Sequence, residues 1–412
     1  MSTVAESESL LYRTFVSLGY RDYRLVWLGS VTEHLGEWME LAALLWLVND
    51  LTHSPLMLTI VGSCRYIPMM FFPVLGGMVA DKMDRRRLLM GALLLAASLS
   101  IVLAILVKTG IVAVWHIIIL SLLAGVATSF NHPARQSMVP NLVRKEHLLN
   151  AISLDSASVQ ASRFIATPIA GFLIAGFGVV PVFGARAIGT LLAICWLRFV
   201  KIDLQPPPAA NKSGLHNVID GLKYVRGDLL LLSLIPLYLI PWIAQNTSNN
   251  FLPIFARDIL KIGASGYGFL QAAPGLGALA SLIALAAMPY HRVNGSLLLV
   301  TSGLLGIALF LFSVSMWPPL SLMLLLVVGG MITSFMTINT ALIQSHVSDV
   351  MRGRVMSLRE IANGIGPAGS LLFGAIAERS SAPFALELLG ISCIAVSFLL
   401  VFLLSRVRLI HV

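Results

Sequence analysis

The sequence predicts an all-α integral membrane protein with twelve transmembrane helices in two six-helix halves. Three observations predict this fold class: the composition, a series of twelve long apolar stretches, and the positions of the Lys and Arg residues. Of the 412 residues, 57% are hydrophobic and only 11% are charged, and the mean hydropathy is +0.87. One soluble core of this length cannot bury so much apolar surface. The chain is therefore expected to reside in a lipid bilayer.

The apolar stretches are long enough to cross the hydrocarbon layer, which takes roughly 20 residues of helix. The twelve spans are predicted at 24–50, 55–80, 88–107, 111–131, 148–176, 179–200, 228–255, 264–289, 295–316, 318–344, 356–377 and 383–405. The hydrophilic stretch between the sixth and seventh spans contains three consecutive prolines and is predicted to be a cytoplasmic linker. The predicted domains are thus an N-terminal half at 1–200, a linker at 201–227 that includes a short surface helix, and a C-terminal half at 228–412.

A partial repeat supports the division into halves. Gly125-x-x-Thr128-Ser129-Phe130 in the fourth span recurs as Gly330-x-x-Thr333-Ser334-Phe335 in the tenth span. A parallel duplication of six helices would put the second copy six spans after the first.

The basic residues fix the predicted orientation. Most Lys and Arg lie in segments that an even number of spans places on the side of the two termini, and such segments are cytoplasmic in membrane proteins. Both termini are therefore expected in the cytoplasm and the protein in the plasma (inner) membrane. This topology accounts for the formal net charge of +9, so no nucleic-acid partner is predicted. The three cysteines are far apart in apolar spans, and neither a metal site nor a cofactor is predicted.

A charged motif follows the second span. Gly77-x-x-x-Asp81-Lys82-x-x-Arg85-Arg86 resembles the loop between helices two and three of the major facilitator superfamily, although Asp84 replaces the second glycine of that pattern. The resemblance implies the major facilitator fold and transport by alternating access. Gly77, Asp81, Arg85 and Arg86 are predicted to form a cytoplasmic gate, since small residues allow close helix contacts and a carboxylate accepts charge-assisted hydrogen bonds. The alternative is that the basic residues only orient the helices.

Further motifs resemble one branch of that superfamily, which contains the enterobactin exporter and related macrolide and multidrug efflux pumps. They are Leu28-Gly29, Gly36-Glu37-Trp38, Asn131-x-Pro133-Ala134-Arg135-Gln136-Ser137, Leu149-Asn150-Ala151 and Arg352-Gly353-Arg354-Val355-Met356-Ser357-Leu358. This resemblance implies export of a small molecule.

Three acids in the first span are the main candidates for chemistry. Glu33, Glu37 and Glu40 fall within about 60° of helix circumference, and Glu37 lies near mid-bilayer, where an ionised carboxylate is costly unless paired or hydrated. We predict that they border a polar cavity and that at least one exchanges protons. Arg65 lies at the depth of Glu37, Arg163 near the middle of the fifth span and Arg186 toward the outer end of the sixth span. A purely structural ion-pair network is the alternative.

Other polar and aromatic side chains are candidates for the cavity lining. They are His34, Tyr238, Trp242, Gln245, Asn246 and Asn339. Amides at these depths bind ligands or hydrogen-bond between helices, and aromatic rings stack on ligands or pack between helices.

The sequence therefore predicts a secondary active transporter, a proton-coupled exporter of an amphipathic small molecule, either a drug-like cation or a siderophore. The three glutamates favour a cationic or zwitterionic compound, and an anionic siderophore would have to use Arg65 or Arg163. Its partners would be that substrate, protons and membrane lipids, and we expect a monomer. A lipid or lysophospholipid flippase of the same fold is the first alternative, and a non-transporting membrane scaffold or receptor is the second. The chain contains no phosphate-binding loop and no common hydrolase motif, so an enzyme is not predicted.

Overall fold

The computed structural model describes residues 15–68, 84–201, 214–288 and 295–403. These residues are largely helical and contain no β-strand. The helices are α1 Arg21–Thr52, α2 Pro55–Cys64, α3 Arg85–Lys108, α4 Val114–Leu142, α5 Leu148–Phe177, α6 Val180–Arg198, α7 Gly214–Arg226, α8 Leu229–Leu237, α9 Leu239–Ile254, α10 Gly263–Ala286, α11 Gly295–Val314, α12 Pro318–His346, α13 Asp349–Arg379 and α14 Ala382–Leu403. Short 3₁₀ turns at Val16–Gly19 and Lys145–His147 precede α1 and α5, and a π-helical turn at Phe255–Ile259 follows α9.

Within the described part of the chain, eight helices are long and apolar enough to cross a membrane. The helices α2 and α14 are also apolar but have shorter qualifying segments, at Pro55–Cys64 and Ala382–Phe398. Helix α1 is 32 residues long, but three glutamates in its middle lower its hydropathy. The chain is therefore an all-helical integral membrane protein, as predicted, and the predicted count of twelve spans goes beyond these eight.

Polar residues cap several helices. Ser54 accepts a hydrogen bond from the Met57 backbone at the start of α2, and Pro55 occupies the first helical position, where a missing N–H costs nothing. Asp84 likewise accepts from the Arg86 backbone at the start of α3. Asp84, which replaces the second glycine of the major facilitator loop pattern, is thus the N-cap of this helix.

Asp228 caps α8 and joins it to the end of α12. Its carboxylate accepts hydrogen bonds from the backbone N–H groups of Leu230 and Leu231, and it contacts His346 Nε2 at 2.8 Å. Burial alone would raise the pKa of Asp228, but the hydrogen bonds from His346 and the two amides outweigh it and hold the pKa below the ordinary value.

Helix packing follows two sets of neighbours. Helix α1 packs against α5 and α6, and α3 packs against α4 and α6, whereas α11 packs against α12 and α14, and α10 against α12. The two sets meet where α5 lies against α10 and α2 against α13. At the first of these contacts, a Cβ on Gly268 would come within 2.5 Å of the Thr167 carbonyl oxygen, so the two backbones require glycine there.

The outer surfaces of the helices are apolar. Large hydrophobic side chains that are exposed in the isolated chain include Leu94, Ile105, Phe172 and Ile283. A soluble protein rarely exposes so much apolar surface, whereas lipid tails solvate it.

Candidate functional site

Glu33 is the most enclosed of the three glutamates on α1. Its carboxylate pairs with Arg135 of α4 at 3.2 Å and with Arg186 of α6 at 3.5 Å, and it accepts a hydrogen bond of 2.9 Å from Asn131. The Arg186 guanidinium also donates to the backbone carbonyl of Glu33 at 2.8 Å. Only 5% of Glu33 is exposed. This carboxylate therefore ties α1 to α4 and α6 within one tight network.

Glu37 lies in a more open position. Its side chain is 22% exposed and pairs with the Arg65 guanidinium at 2.7 Å, and His34 Nδ1 lies 3.6 Å away. The other nitrogen of His34 is buried with no hydrogen-bond partner in the described part. The structure thus contains the Glu37–Arg65 ion pair that the equal depth of these two residues in the membrane suggested.

Glu40 shares arginines with both neighbours. Its carboxylate lies 3.8 Å from Arg65 and 3.4 Å from Arg186, and it accepts a hydrogen bond of 2.5 Å from Ser100 of α3. A cavity of about 30 Å³ beside Glu40 and Arg65 is lined on its other sides mainly by apolar residues of α1 to α4, and this volume exceeds the minimum for one water molecule. The Ser121 hydroxyl on its wall has no hydrogen-bond partner among the described residues.

The charges of this network balance, contrary to our expectation from the sequence. Of the arginines that the sequence suggested as partners, Arg65 and Arg186 contact the glutamates, and Arg135 completes the set. Sequence had placed Arg186 toward the outer end of its span, yet it contacts both Glu33 and Glu40. The excess of negative charge that favoured a cationic ligand is therefore not present among the described side chains.

Arg163 of α5 stands apart from this network. Its Nε donates to the Gln271 carbonyl at 3.1 Å, its Nη2 donates to Asn249 Oδ1 at 2.7 Å, and its guanidinium lies over the Trp38 ring at 4.8 Å. None of the acidic side chains that the structure describes forms an ion pair with it. A second, small cavity of about 10 Å³ lies beside it, and its polar lining is Gln160, Gln245, Ser248, Asn249 and Thr333.

The other candidate lining residues differ in their surroundings. Gln245 lines the cavity beside Arg163. Asn246 is buried and donates to the Trp242 carbonyl, and Asn339 is fully buried and donates to the Leu234 carbonyl. The Trp242 ring contacts Tyr66 edge to face at 6.0 Å.

The Tyr238 ring contacts Arg359, a residue that was not predicted to belong to the site. The guanidinium of Arg359 lies 4.6 Å from the centre of this ring. The same guanidinium donates a hydrogen bond of 2.8 Å to the Thr340 hydroxyl. Its position ten residues into α13 could have marked it as an intramembrane charge.

Asn131 and Arg135 were also missed as site residues. They occur four apart in a motif that resembles one branch of the superfamily, and this spacing puts both on one face of α4. That spacing was the signal that could have identified them as joint partners of a carboxylate.

The predicted cytoplasmic gate is only partly described. Gly77 and Asp81 lie outside the described residues. Arg85 is the first residue of α3, and its side chain is also outside them. Arg86 donates to the carbonyls of Val200 and Arg198, at 3.0 and 2.6 Å, and so binds the C-terminal end of α6.

Polar contacts join the two sets of helices at the end of the bundle opposite Arg86. Glu378 of α13 accepts hydrogen bonds from the Ser54 hydroxyl at 2.7 Å and from the Leu56 backbone at 3.2 Å. Asp50 of α1 pairs with Arg257. Deeper in the bundle, Ser63 donates to the Pro367 carbonyl at 2.8 Å. These contacts hold the two sets of helices together at that end of the bundle.

Comparison with known families decides the class of protein. The family model described as "Transmembrane secretion effector" matches residues 13–411. The chain belongs to this family of the major facilitator superfamily. It is similar to the staphyloferrin A transporter of Staphylococcus aureus, with 25% identity over 91% of this chain and 94% of that protein. It is also similar to the enterobactin exporter EntS of Shigella flexneri, with 24% identity over 84% of each chain.

Solved structures show the same fold. The nucleoside transporter NupG superimposes with a TM-score of 0.76 at 14% identity, and the superposition covers 93% of this chain and 99% of the NupG chain. The peptide transporter POT in complex with sulfate gives 0.74 at 14% identity, over 94% and 95% of the two chains. The prediction of a major facilitator transporter rather than an enzyme is confirmed.

Proposed function

We propose that this transporter is a proton-coupled exporter of a siderophore-like amphipathic small molecule. It works by alternating access between two six-helix halves, at 1–200 and 228–412, which together span the plasma (inner) membrane twelve times. The linker at 201–227 and both termini are cytoplasmic, and the working unit is a monomer. The names of the two relatives, a staphyloferrin A transporter and an enterobactin exporter, support this substrate class.

The observation that carries the proposal is the position of Glu37. Glu33 has two arginine partners in a closed network, whereas Glu37 is partly exposed and pairs with Arg65, the residue directly after α2. The residues of α2 next to Arg65 are bound to α13 through Ser63. A movement of α13 away from α1 therefore pulls on the helix that carries the cation of Glu37. Once that cation withdraws, the carboxylate takes up a proton, because loss of the nearby positive charge raises the cost of a negative charge at mid-membrane.

The contacts between the two sets of helices at one end of the bundle support alternating access. The contacts of Glu378 with the start of α2 and of Asp50 with Arg257 lie at the predicted outer end. The proposed cycle breaks these contacts to release the substrate outside and forms them again when the inner end opens. Each proton that enters contributes about 2.3 kcal/mol per 100 mV of membrane potential.

Transport into proteoliposomes tests the proposal. With the lumen more acidic than the bath, protons that leave exchange for substrate that enters, and we expect iron-free enterobactin or staphyloferrin A to accumulate. The Glu37→Gln variant should lose gradient-driven accumulation by about tenfold or more while it retains downhill exchange. Glu146→Gln is the matched control, because that carboxylate is exposed in the loop before α5.

Uptake that is the same with and without the pH gradient in the wild type would contradict proton coupling. Accumulation of a labelled lysophospholipid but not of either siderophore would favour a flippase instead. The absence of flux for every probe would favour a scaffold or receptor.

A further inference from the structure

Arg163 differs from the other membrane-embedded arginines near α1. Arg65, Arg135 and Arg186 each contact a glutamate of α1, whereas Arg163 has no acidic partner among the described side chains. It is 2% exposed. Burial of a cation without a counterion is costly, and such residues within membrane helices are usually functional.

The guanidinium keeps unused hydrogen-bonding capacity. Its Nε and Nη2 donate to Gln271 and Asn249, and Nη1 has no partner among the described residues. The side chains of Gln160, Gln245 and Thr333 line the same cavity and likewise make no hydrogen bond within the described part. Donors from α5, α9 and α12 therefore converge beside an unneutralised cation.

This grouping suits an anionic ligand. A guanidinium binds carboxylates and similar oxyanions with two parallel hydrogen bonds, and amide and hydroxyl donors can complete the coordination. The guanidinium also lies 4.8 Å from the centre of the Trp38 ring, and this cation–π contact restricts its position. The cavity of about 10 Å³ holds about one water molecule, so a ligand enters only when α5 and α10 separate from one another.

We infer that the Arg163 cavity binds an anionic group, a carboxylate or a catecholate, of the transported molecule. Arg65 is not suited to this role because Glu37 and Glu40 already neutralise it. This inference rests on the proposed transport function and adds the site at which the negative charge of the substrate is held.

Equilibrium binding to the purified protein in nanodiscs tests this inference. The probes are iron-free enterobactin and staphyloferrin A as anions and ethidium as a permanent cation, with affinity read from tryptophan fluorescence. Arg163→Gln should weaken binding of at least one anion about 10-fold or more, the range expected for lost hydrogen bonds to a charged group. Arg144→Gln should leave binding unchanged, since it removes the same charge from a side chain that is 76% exposed.

A second variant covers the case in which Arg163→Gln fails to fold. Gln245→Leu removes a donor that makes no described hydrogen bond in the protein, and it should weaken anion binding about three- to tenfold while the protein unfolds at the wild-type temperature.

Three results would overturn the inference: equal anion affinity in wild type and Arg163→Gln, tighter binding of ethidium than of both anions, or no saturable anion binding by the wild type. Because the binding assay contains no gradient, the inference can fail while proton-driven flux persists. Proton coupling can likewise fail while Arg163 still binds the anion.

Discussion

Removal of the Glu33 charge should destabilise the protein without direct effect on proton exchange. In Glu33→Gln, Arg135 loses the only acidic partner that the structure describes for it, while Arg186 keeps Glu40 at 3.4 Å. The side chain of Arg135 is only 7% exposed, and an uncompensated buried charge costs about 3–5 kcal/mol. We expect the lower end of that range, because the amide of the substituted side chain can still accept a hydrogen bond.

The expected shift in unfolding temperature follows from the length of the chain. At about 2 cal/mol/K per residue, the unfolding entropy is about 0.9 kcal/mol/K, so a loss of about 3 kcal/mol lowers Tm by about 3 °C. Tryptophan fluorescence in a fixed detergent and at one scan rate measures this shift, since unfolding of such proteins is commonly irreversible. Glu146→Gln, at an exposed carboxylate, should unfold within about 1 °C of the wild type.

A double variant separates loss of the ion pair from general damage. Glu33→Gln combined with Arg135→Gln leaves no unpaired cation, so its Tm should recover at least half of the loss seen in the single variant. A single variant that unfolds at the wild-type temperature would refute the structural role of Glu33. Losses that simply add in the double variant would show that the two side chains are not coupled.

Three further variants test other parts of the structure. Glu378→Ala removes the contact with the start of α2, so spin labels at the outer ends of α2 and α13 should report a larger share of molecules in which these helix ends are separated. An unchanged distance distribution would contradict the proposed role of this contact. Gly268→Ala places a methyl group against a backbone carbonyl of α5 and should cost about 1–3 kcal/mol, whereas Gly303→Ala, with nothing within 4 Å, should leave Tm unchanged. Because the pKa of Asp228 lies below its ordinary value in the folded state, the stability that the ionised Asp228 contributes is complete above about pH 4 and is lost as pH falls through the folded value. Asp228→Asn should therefore flatten the decline of Tm in acid. An equal decline in both proteins would count against a stabilising role of Asp228.

Sequence alone predicted much of the helical architecture, because apolar length is a direct requirement of the bilayer. The predicted ranges overlap the observed helices closely in the second half of the chain, as at 318–344 against Pro318–His346. The start of α1 at Arg21, three residues before the predicted 24, extends the helix past the apolar stretch into charged sequence. Helix ends are set by caps such as Asp84, and hydropathy does not detect them.

For the candidate site, the sequence predicted only the depth of each residue along its helix. Residue number gives depth along a helix at 1.5 Å per residue, and depth was enough to pair Glu37 with Arg65. It was not enough for Arg186, because rotation and tilt decide which neighbour a side chain meets, and these depend on packing of α1 against α6. The expected excess of negative charge was therefore wrong, and the preference for a cationic ligand loses its basis.

Helix α1 connects the two sites that we propose. Glu37 faces Arg65, directly after α2, and the next residue in α1, Trp38, lies against Arg163 of α5. Successive residues on a helix are about 100° apart, so one helix presents the carboxylate to one neighbour and the indole to another. An anion that binds the Arg163 guanidinium acts on a side chain that contacts α1 through Trp38, and any rotation of α1 in response also moves Glu37 relative to Arg65. Binding of the substrate and release of the proton then act on the same helix, which is the physical requirement for exchange of one for the other.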